Sequence, residues 1–196
     1  MSKIMFALKI QVFIIVLLFL FIIACSGNKK IVKNNKNTSA NKESLIENKN
    51  KLSSKDKALK EKYAQLLGVD EKNIENLKLY YFIDDWMGVP YKYGGKDKSG
   101  IDCSGFTGLL YKEVYNKNIS GPTSTLIELT NIIPESELKE GDMVFFQIEK
   151  KGKVSHVGVY LQNNKFVHAT TKKGVMINDL SETYYRQHYF KSGRVK

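Results

Sequence analysis

The chain has 196 residues and carries 31 Lys and Arg against 20 Asp and Glu, a net charge of +11. Its length fits one domain with appendages rather than two full domains. A strongly basic chain would ordinarily favour a nucleic-acid partner. However, residues 29–62 hold eleven Lys against four acidic residues, and residues 63–196 have a basic surplus of only two. The part able to fold is nearly neutral, so no nucleic-acid partner is expected, and its apolar content excludes wholesale disorder.

Residues 1–24 have the pattern of an export leader. Lys3 and Lys9 precede a short apolar run, and such a run behind a basic start is typical of a signal peptide rather than of a membrane-spanning helix. The segment from Ile22 to Cys25 reads Ile-Ile-Ala-Cys and resembles the lipobox of bacterial lipoproteins.

The lipobox resemblance implies that the leader is cleaved before Cys25 and that lipid chains are attached there. Two or more chains hold a protein stably on a membrane. We therefore expect a cell-envelope protein anchored to a membrane, at the periplasmic face of an outer membrane or the outer face of the cell membrane. A single transmembrane anchor with an incidental cysteine is the alternative.

Residues 25–53 are rich in Lys, Asn and Ser and show no apolar periodicity, which predicts a disordered linker that begins at the lipidated cysteine. Apolar periodicity begins at Ser54, the predicted N-cap of a helix that ends at Gly68. Residues 54–75 are therefore predicted to form a helical lead-in to a catalytic domain over 76–196.

Two further helices are predicted, one from its N-cap Asp70 to Gly88 and one from Cys103 to Tyr115. Strands are predicted at 142–148, 154–161, 165–170 and 175–177. Helices followed by a run of strands predict an α+β fold with an antiparallel sheet.

Cys103 stands at the start of the third predicted helix, where unpaired backbone N–H groups and the helix dipole stabilise a thiolate. A lone cysteine more often only packs in a core. A disulfide with Cys25 would be prevented by lipidation there, and a zinc site needs closely spaced Cys or His pairs, which the sequence lacks. Cys103 is thus a candidate nucleophile, and no metal site is predicted.

Two histidines supply the other groups that a cysteine nucleophile requires. His156 lies in a strand-like segment and is the candidate general base. His168, on the next predicted strand, is the candidate for a third polar group that orients the base. The order Cys, His, His predicts an acyl-transfer triad of the papain-like type.

The hairpin that carries the histidines makes a geometric demand. Facing residues of an antiparallel pair share a side, so His156 and His168 can meet only if facing residue numbers have an even sum. A two-residue loop of Asn163 and Asn164 would give an odd sum and turn His168 away. We therefore predict a three- or five-residue loop, built on a type I turn with a bulge.

The segment from about residue 76 to residue 196 resembles the NlpC family of bacterial cell-wall peptidases. The principal motifs lie at residues 88–95, 102–106, 138–146, 155–160 and 166–169. The resemblance implies a papain-like α+β fold with the nucleophile helix packed on an antiparallel sheet. It also implies that Cys103 is the nucleophile, His156 the base and His168 the orienting residue.

The same resemblance implies further site residues. Tyr91 would be the second oxyanion donor beside the backbone N–H of Cys103. Asp102, Ser104 and Ser155 occupy positions that line the substrate groove in relatives. Asp102 has a second possible role as the N-cap of the third helix, which is compatible with the first.

The family's usual reaction is hydrolysis of the amide that joins the D-glutamate side-chain carboxyl to the following diamino acid in peptidoglycan stem peptides. We expect a monomer without cofactors that acts on these peptides in cell-wall remodelling. Two alternatives stay open: an amidase or acyltransferase on the same scaffold, and a non-hydrolytic peptidoglycan-binding lipoprotein. The intact set of Cys103, His156 and His168 argues against the second.

Overall fold

The computed structural model describes residues 36–196, and their side chains from residue 51 onward. The predicted leader at 1–24, the lipidation site Cys25 and the first part of the predicted linker lie outside the described residues. No helix within the described range is long and apolar enough to cross a bilayer.

The described elements alternate between helices and short strands. The helices are α1 Lys36–Leu67, α2 Leu77–Trp86, α3 Cys103–Tyr115, α4 Thr123–Glu128 and α5 Thr183–His188. The strands are β1 Lys96–Asp97, β2 Gly100–Ile101, β3 Thr130–Ile133, β4 Met143–Phe146, β5 His156–Tyr160, β6 Lys165–Thr170, β7 Gly174–Asp179 and β8 Tyr189–Val195. Short 3₁₀ turns lie at Glu71–Asn73 and Glu135–Glu137.

Six strands form one sheet in the order β3-β8-β4-β5-β6-β7, and every neighbouring pair is antiparallel. Helix α3 packs on β5 and β6, and β1 pairs with β2 in a separate two-stranded unit. The predicted α+β fold with the nucleophile helix on an antiparallel sheet is confirmed.

Strand β4 shows how the sheet is covered on both faces. Successive side chains of a strand point to opposite faces. Met143 and Phe145 belong to the main core beneath the helices, whereas Val144 and Phe146 belong to a second core that includes Tyr185 of α5. All four β4 side chains are fully buried, so the sheet is a central layer rather than a solvent-facing one.

Helix α1 begins at Lys36, before the predicted start at Ser54. Residues 36–53 are therefore helical in the structure, and the prediction of a disordered linker is wrong for that stretch. Once a turn is nucleated, a helix extends at low cost through Lys, Glu and Ala, even without an apolar face. The predicted end near Gly68 is confirmed by Leu67 as the last helical residue.

The second predicted helix is divided in the structure. A 3₁₀ turn follows Asp70, and α2 begins only at Leu77 because Asn76 acts as the N-cap and accepts a hydrogen bond from the backbone N–H of Leu79 at 3.2 Å. The prediction that Asp70 caps a continuous helix is wrong, since its side chain makes no capping bond. The predicted end of this helix near Gly88 is confirmed, because Trp86 is the last helical residue.

Six elements went unpredicted: helices α4 and α5 and strands β1, β2, β3 and β8. The helices have six residues each, too few for a 3.6-residue period to show. Strand β8 lies inside the sheet although it has no regular alternation of apolar and polar residues. It fits there because a Cβ on Gly193 would come within 2.2 Å of the Thr130 hydroxyl, so glycine permits close approach of β3.

The turn between β5 and β6 differs from the prediction. Asn163 and Asn164 have φ values of 48° and 61°, and the backbone N–H of Lys165 donates to the carbonyl of Gln162 at 2.9 Å. Positive φ at both central residues defines a tight two-residue turn. The predicted type I turn is therefore wrong, because asparagine tolerates the left-handed region that the tight turn needs.

A bulge compensates for the tight turn. The backbone N–H of Leu161 donates to the carbonyl of Lys165 at 2.8 Å, so β5 carries one extra residue opposite β6. Beyond the bulge Val159 faces Val167, an even sum. The predicted bulge and the predicted register, with both histidines on one face, are confirmed.

Candidate active site

Asp102 fixes the start of α3. Its Oδ1 accepts a hydrogen bond from the backbone N–H of Gly105 at 2.7 Å, and its Oδ2 accepts one from Gly94 at 2.7 Å. The Ser104 hydroxyl also donates to Oδ1, at 2.9 Å. These bonds tie the glycine-rich turn to the helix and set Cys103 as the first residue of α3.

The Cys103 side chain, at the start of α3, is buried against β5 and α4, and 6% of the residue's surface is exposed. Its Sγ lies 3.9 Å from the hydroxyl of Thr123, the first residue of α4. Burial raises the pKa of the thiol, whereas hydrogen bonds from the Val157 main chain and the Thr123 hydroxyl act in the opposite direction. Thr123 is a site neighbour that the sequence did not reveal, because α4 itself was not predicted.

His156 and His168 meet, buried, on the face of the sheet that carries the second core with Phe146 and Tyr185. The Nε2 atom of His156 lies 2.6 Å from Nδ1 of His168. Burial lowers the pKa of His156 well below its usual value, with the nearby His168 as a second cause. Burial also lowers the pKa of His168, to about 4. Both rings are therefore neutral at pH 7.

His168 has partners on its outer side that sequence reasoning missed. Its Nε2 lies 2.9 Å from Oδ1 of Asn178 and 3.3 Å from the Tyr185 hydroxyl. The Asn178 amide in turn donates to the Glu182 carboxylate at 2.9 and 3.1 Å. The histidine pair therefore ends in a chain of polar groups that reaches the protein surface at Glu182, which is exposed.

The register of β6 and β7 explains why Asn178 reaches His168. Met176 faces His168, so Asn178 is its diagonal neighbour on the same face of the sheet. The predicted strand at 175–177 ended one residue too early to include Asn178. A sequence signal for this partner was available: Asn178 is a polar residue two positions from Met176, the residue that faces His168.

Tyr91 lies near the thiol. It bridges to Ile101 immediately before the Cys103 turn, and its side chain is partly buried. Burial raises the pKa of its hydroxyl to about 12, and the neighbouring Cys103 acts in the same direction. The hydroxyl therefore keeps its proton at neutral pH and is a competent hydrogen-bond donor.

The three predicted substrate-binding residues have internal partners. Both carboxylate oxygens of Asp102 accept bonds within the helix-start turn, and Ser104 donates to one of them. The Ser155 hydroxyl accepts the backbone N–H groups of Ile148 and Glu149 at 3.0 and 3.1 Å. The N-cap role of Asp102 is confirmed, and substrate contacts by these three residues stay a prediction.

The arrangement provides the parts of an acyl-transfer site. Cys103 lies at the N-terminus of α3, beside Thr123 and the Val157 main chain and near Tyr91. The His156–His168 pair lies on β5 and β6, with its rings on the sheet face that carries Phe146 and Phe166. Direct contact between Cys103 and His156 stays a prediction. Within residues 36–196, no cluster of three or more His, Cys, Asp or Glu is placed to hold a metal ion.

A helix-borne cysteine packed against a histidine-bearing antiparallel sheet defines a papain-like α+β domain. The sequence model of the NlpC/P60 family matches residues 88–194. Because this match covers more than half of the chain, the protein belongs to the NlpC/P60 family.

Individual relatives agree with this assignment. The chain is 40% identical over 111 residues to the murein DD-endopeptidase MepS/murein LD-carboxypeptidase of Escherichia coli K12, which covers 57% of this chain and 58% of that protein. It is 34% identical over 113 residues to the probable endopeptidase NlpC of the same organism, with coverage of 58% and 73%. The chain thus spans well under two thirds of MepS.

A solved structure gives the same fold. The crystal structure of an NlpC/P60 family protein from Bacillus cereus superposes with a TM-score of 0.57 at 27% sequence identity. The superposition covers 62% of this chain and 40% of that one.

Proposed function

We propose that the protein is a cysteine endopeptidase that hydrolyses peptidoglycan stem peptides during cell-wall remodelling. The single observation that carries the proposal is the 2.6 Å contact between His156 and His168, on the strand pair against which the Cys103 helix packs. A merely structural cysteine needs no oriented base. The name of the relative MepS, a murein endopeptidase, supports peptidoglycan as the substrate class.

The acylation step follows from the roles of the three residues. His156 takes the proton from Cys103 as the sulfur forms a bond to the scissile carbonyl carbon. His156 then gives that proton to the departing amine as the carbon–nitrogen bond breaks, which leaves a thioester on Cys103. Water, activated by His156, hydrolyses the thioester and restores the thiol.

The negative charge on the carbonyl oxygen needs two hydrogen-bond donors during this step. The backbone N–H of Cys103 is one, because the first N–H groups of a helix have no partner within it. The Tyr91 hydroxyl is the other, since its raised pKa keeps it protonated. His168 orients the base through the contact described above.

The bond that is cleaved has two candidates. The family resemblance implies the amide between the D-glutamate side-chain carboxyl and the diamino acid. The name of the relative MepS instead specifies a DD-endopeptidase, which gives a DD bond as the second candidate. We retain the first as the primary proposal.

We further propose that Cys25 is lipidated and holds the protein in the cell envelope. The support is the resemblance of residues 22–25 to a lipobox. Growth with radiolabelled palmitate should label the protein that begins at Cys25, and Cys25→Ser should abolish that label. Labelling that persists in Cys25→Ser would contradict the anchor.

One digestion separates the functional candidates. The full chain and a Cys103→Ala control are incubated with purified peptidoglycan, and mass spectrometry identifies the new termini. A new side-chain carboxyl on D-glutamate together with a new amine on the diamino acid supports the primary proposal, and a new carboxyl at a DD bond supports the second. Release of whole stem peptides from sugar indicates an amidase, and transfer to an added amine indicates an acyltransferase. Retention on peptidoglycan without any new terminus indicates a binding lipoprotein.

A further inference from the structure

The outer nitrogen of His168 is held by a network that the triad itself does not include. Oδ1 of Asn178 lies 2.9 Å from Nε2 of His168. On its other side, Nδ2 of Asn178 donates to both oxygens of the Glu182 carboxylate, at 2.9 and 3.1 Å. Oε1 of Glu182 also accepts the backbone N–H of Asp179 at 2.9 Å, which fixes the carboxylate in place.

This network determines which way the Asn178 amide points. An ionised carboxylate only accepts hydrogen bonds, so Asn178 must turn its NH₂ group to Glu182 and its oxygen to His168. An amide oxygen at hydrogen-bond distance calls for a proton on Nε2 of His168. Because burial keeps the His168 ring neutral, its Nδ1 then carries no proton and acts as an acceptor.

The tautomer of His168 also determines the tautomer of the base His156. Nε2 of His156 lies 2.6 Å from the bare Nδ1 of His168, so it must be the donor of that contact. A neutral His156 with its proton on Nε2 has an unprotonated Nδ1, which is the nitrogen left for the thiol. The reverse pattern would satisfy the histidine contact equally well and would leave Nδ1 of His156 protonated and useless as a base. The contact between the two rings alone does not choose between the patterns.

We propose that Asn178 and Glu182 are positioning residues that select the productive tautomer of both histidines. They act from outside the triad and touch neither the substrate nor Cys103. This inference rests on the proposed function, because the need for an unprotonated Nδ1 on His156 comes from its role as the base.

Tyr185 contacts the same atoms but does not select a tautomer. Its hydroxyl lies 3.3 Å from Nε2 of His168 and 3.3 Å from Oδ1 of Asn178. A hydroxyl both donates and accepts, so it accommodates a protonated or an unprotonated Nε2. Tyr185→Phe is therefore a matched control that removes a polar neighbour of His168 without changing the tautomer.

The tautomers can be read directly by ¹⁵N NMR of the full chain with labelled histidine, since protonated and bare ring nitrogens have distinct chemical shifts. We expect His168 to show a protonated Nε2 and a bare Nδ1 in the unmodified protein, in Cys103→Ala and in Tyr185→Phe. A proton on Nδ1 of His168 in the unmodified protein would overturn the proposal.

Glu182→Lys tests the selecting role. A lysine ammonium only donates hydrogen bonds, whereas both Glu182 oxygens accept from Asn178 in the unmodified protein. Asn178 must then turn its oxygen towards the lysine and its NH₂ towards His168, which places the His168 proton on Nδ1. We expect the reversed tautomer, and a kcat lowered about 10- to 100-fold at little changed KM. An unchanged tautomer in this exposed substitution would overturn the proposal.

The double variant Asn178→Asp with Glu182→Lys supplies an acceptor that needs no amide orientation. The aspartate accepts from Nε2 of His168 on one side and from the lysine ammonium on the other. We expect the original His168 tautomer to return, together with most of the lost kcat. Failure of the double variant to restore the tautomer, while it folds as the single variant does, would contradict the mechanism.

Failure of this inference and failure of the proposed function are distinguishable. The tautomers are measured without substrate. If the protein shows the predicted tautomers but hydrolyses no peptidoglycan, only the proposed peptidase function is contradicted. Normal hydrolysis by a protein whose His168 is protonated on Nδ1 would defeat only the positioning role.

Discussion

The Nε2 atom of His156 lies 2.6 Å from the Nδ1 atom of His168, although the two residues belong to different strands and are separated by 12 positions. A tight asparagine turn alone would have placed them on opposite faces. The bulge at Leu161 and Gln162 restores the register, so a single extra residue between β5 and the turn determines whether the two histidines share a face.

The His156–His168 contact predicts unequal effects of substitutions at position 168. His168→Leu removes the acceptor and should lower kcat by roughly 100-fold or more with little change in KM, because base orientation matters in the transition state. His168→Asn keeps a polar group and should lose less. Steady-state kinetics on isolated stem peptides measures both. Equal kcat values for the leucine and asparagine variants would argue against an orienting role.

Burial of His168 predicts a loss of stability in mild acid. Its pKa is lowered from 6.5 to about 4, so the unfolded state binds the proton first as pH falls. The stability is intact above pH 6.5 and declines as pH falls towards about 4, by up to roughly 3 kcal/mol from this residue. Urea unfolding across this pH range should show a shallower decline in His168→Asn, and parallel curves for the two proteins would contradict the prediction.

Thr123 predicts a measurable effect on the thiol. Its hydroxyl lies 3.9 Å from Sγ of Cys103 and lowers the thiol pKa, so Thr123→Val should shift the pH profile of Cys103 alkylation to higher pH. Thr107→Val is the matched control, because the buried Thr107 hydroxyl has no hydrogen-bond partner among residues 51–196. An identical alkylation profile for Thr123→Val and the unmodified chain would exclude the contact.

The N-cap bonds of Asp102 predict a structural cost for its removal. Asp102→Ala leaves the N–H groups of Gly94 and Gly105 without their acceptor and should lower the free energy of unfolding by about 1–2 kcal/mol. Asp102→Asn keeps one acceptor oxygen and should lose about half as much. Thermal and urea denaturation measure this. A normal stability combined with a raised KM would favour the substrate-binding role instead.

Ser155 can be tested in the same way. Ser155→Ala frees the N–H groups of Ile148 and Glu149, and we expect the free energy of unfolding to fall by about 1 kcal/mol. Ser155→Thr retains the hydroxyl and serves as the control. A KM that rises in the alanine variant at unchanged stability would assign Ser155 to the substrate groove.

The sequence predicted the long, strongly patterned elements and the residues that carry chemistry. Helix α3 was predicted from Cys103 to Tyr115 and has those bounds. Strand β6 was also predicted with its observed bounds. In both, local signals agree with the packing: an Asp N-cap opens the helix, and a run of buried residues fills the strand.

The remainder depended on contacts between distant segments. Strand β8 has no regular alternation of apolar and polar residues, and Gly193 lets β3 approach it closely. Asn178 and Glu182 became site neighbours through the register of β6 and β7, which the sequence did not specify. The helical extension from Lys36 follows from helix propagation rather than from an apolar face.

The most direct measurement is the rate at which the full chain releases new free amines from purified peptidoglycan, compared with Cys103→Ala and His156→Ala of matched circular dichroism. The proposed mechanism predicts a steady release by the unmodified chain and none above background by either variant. Release that persists in Cys103→Ala, or no release by the unmodified chain, would contradict the assignment of Cys103 as the nucleophile of a cell-wall peptidase.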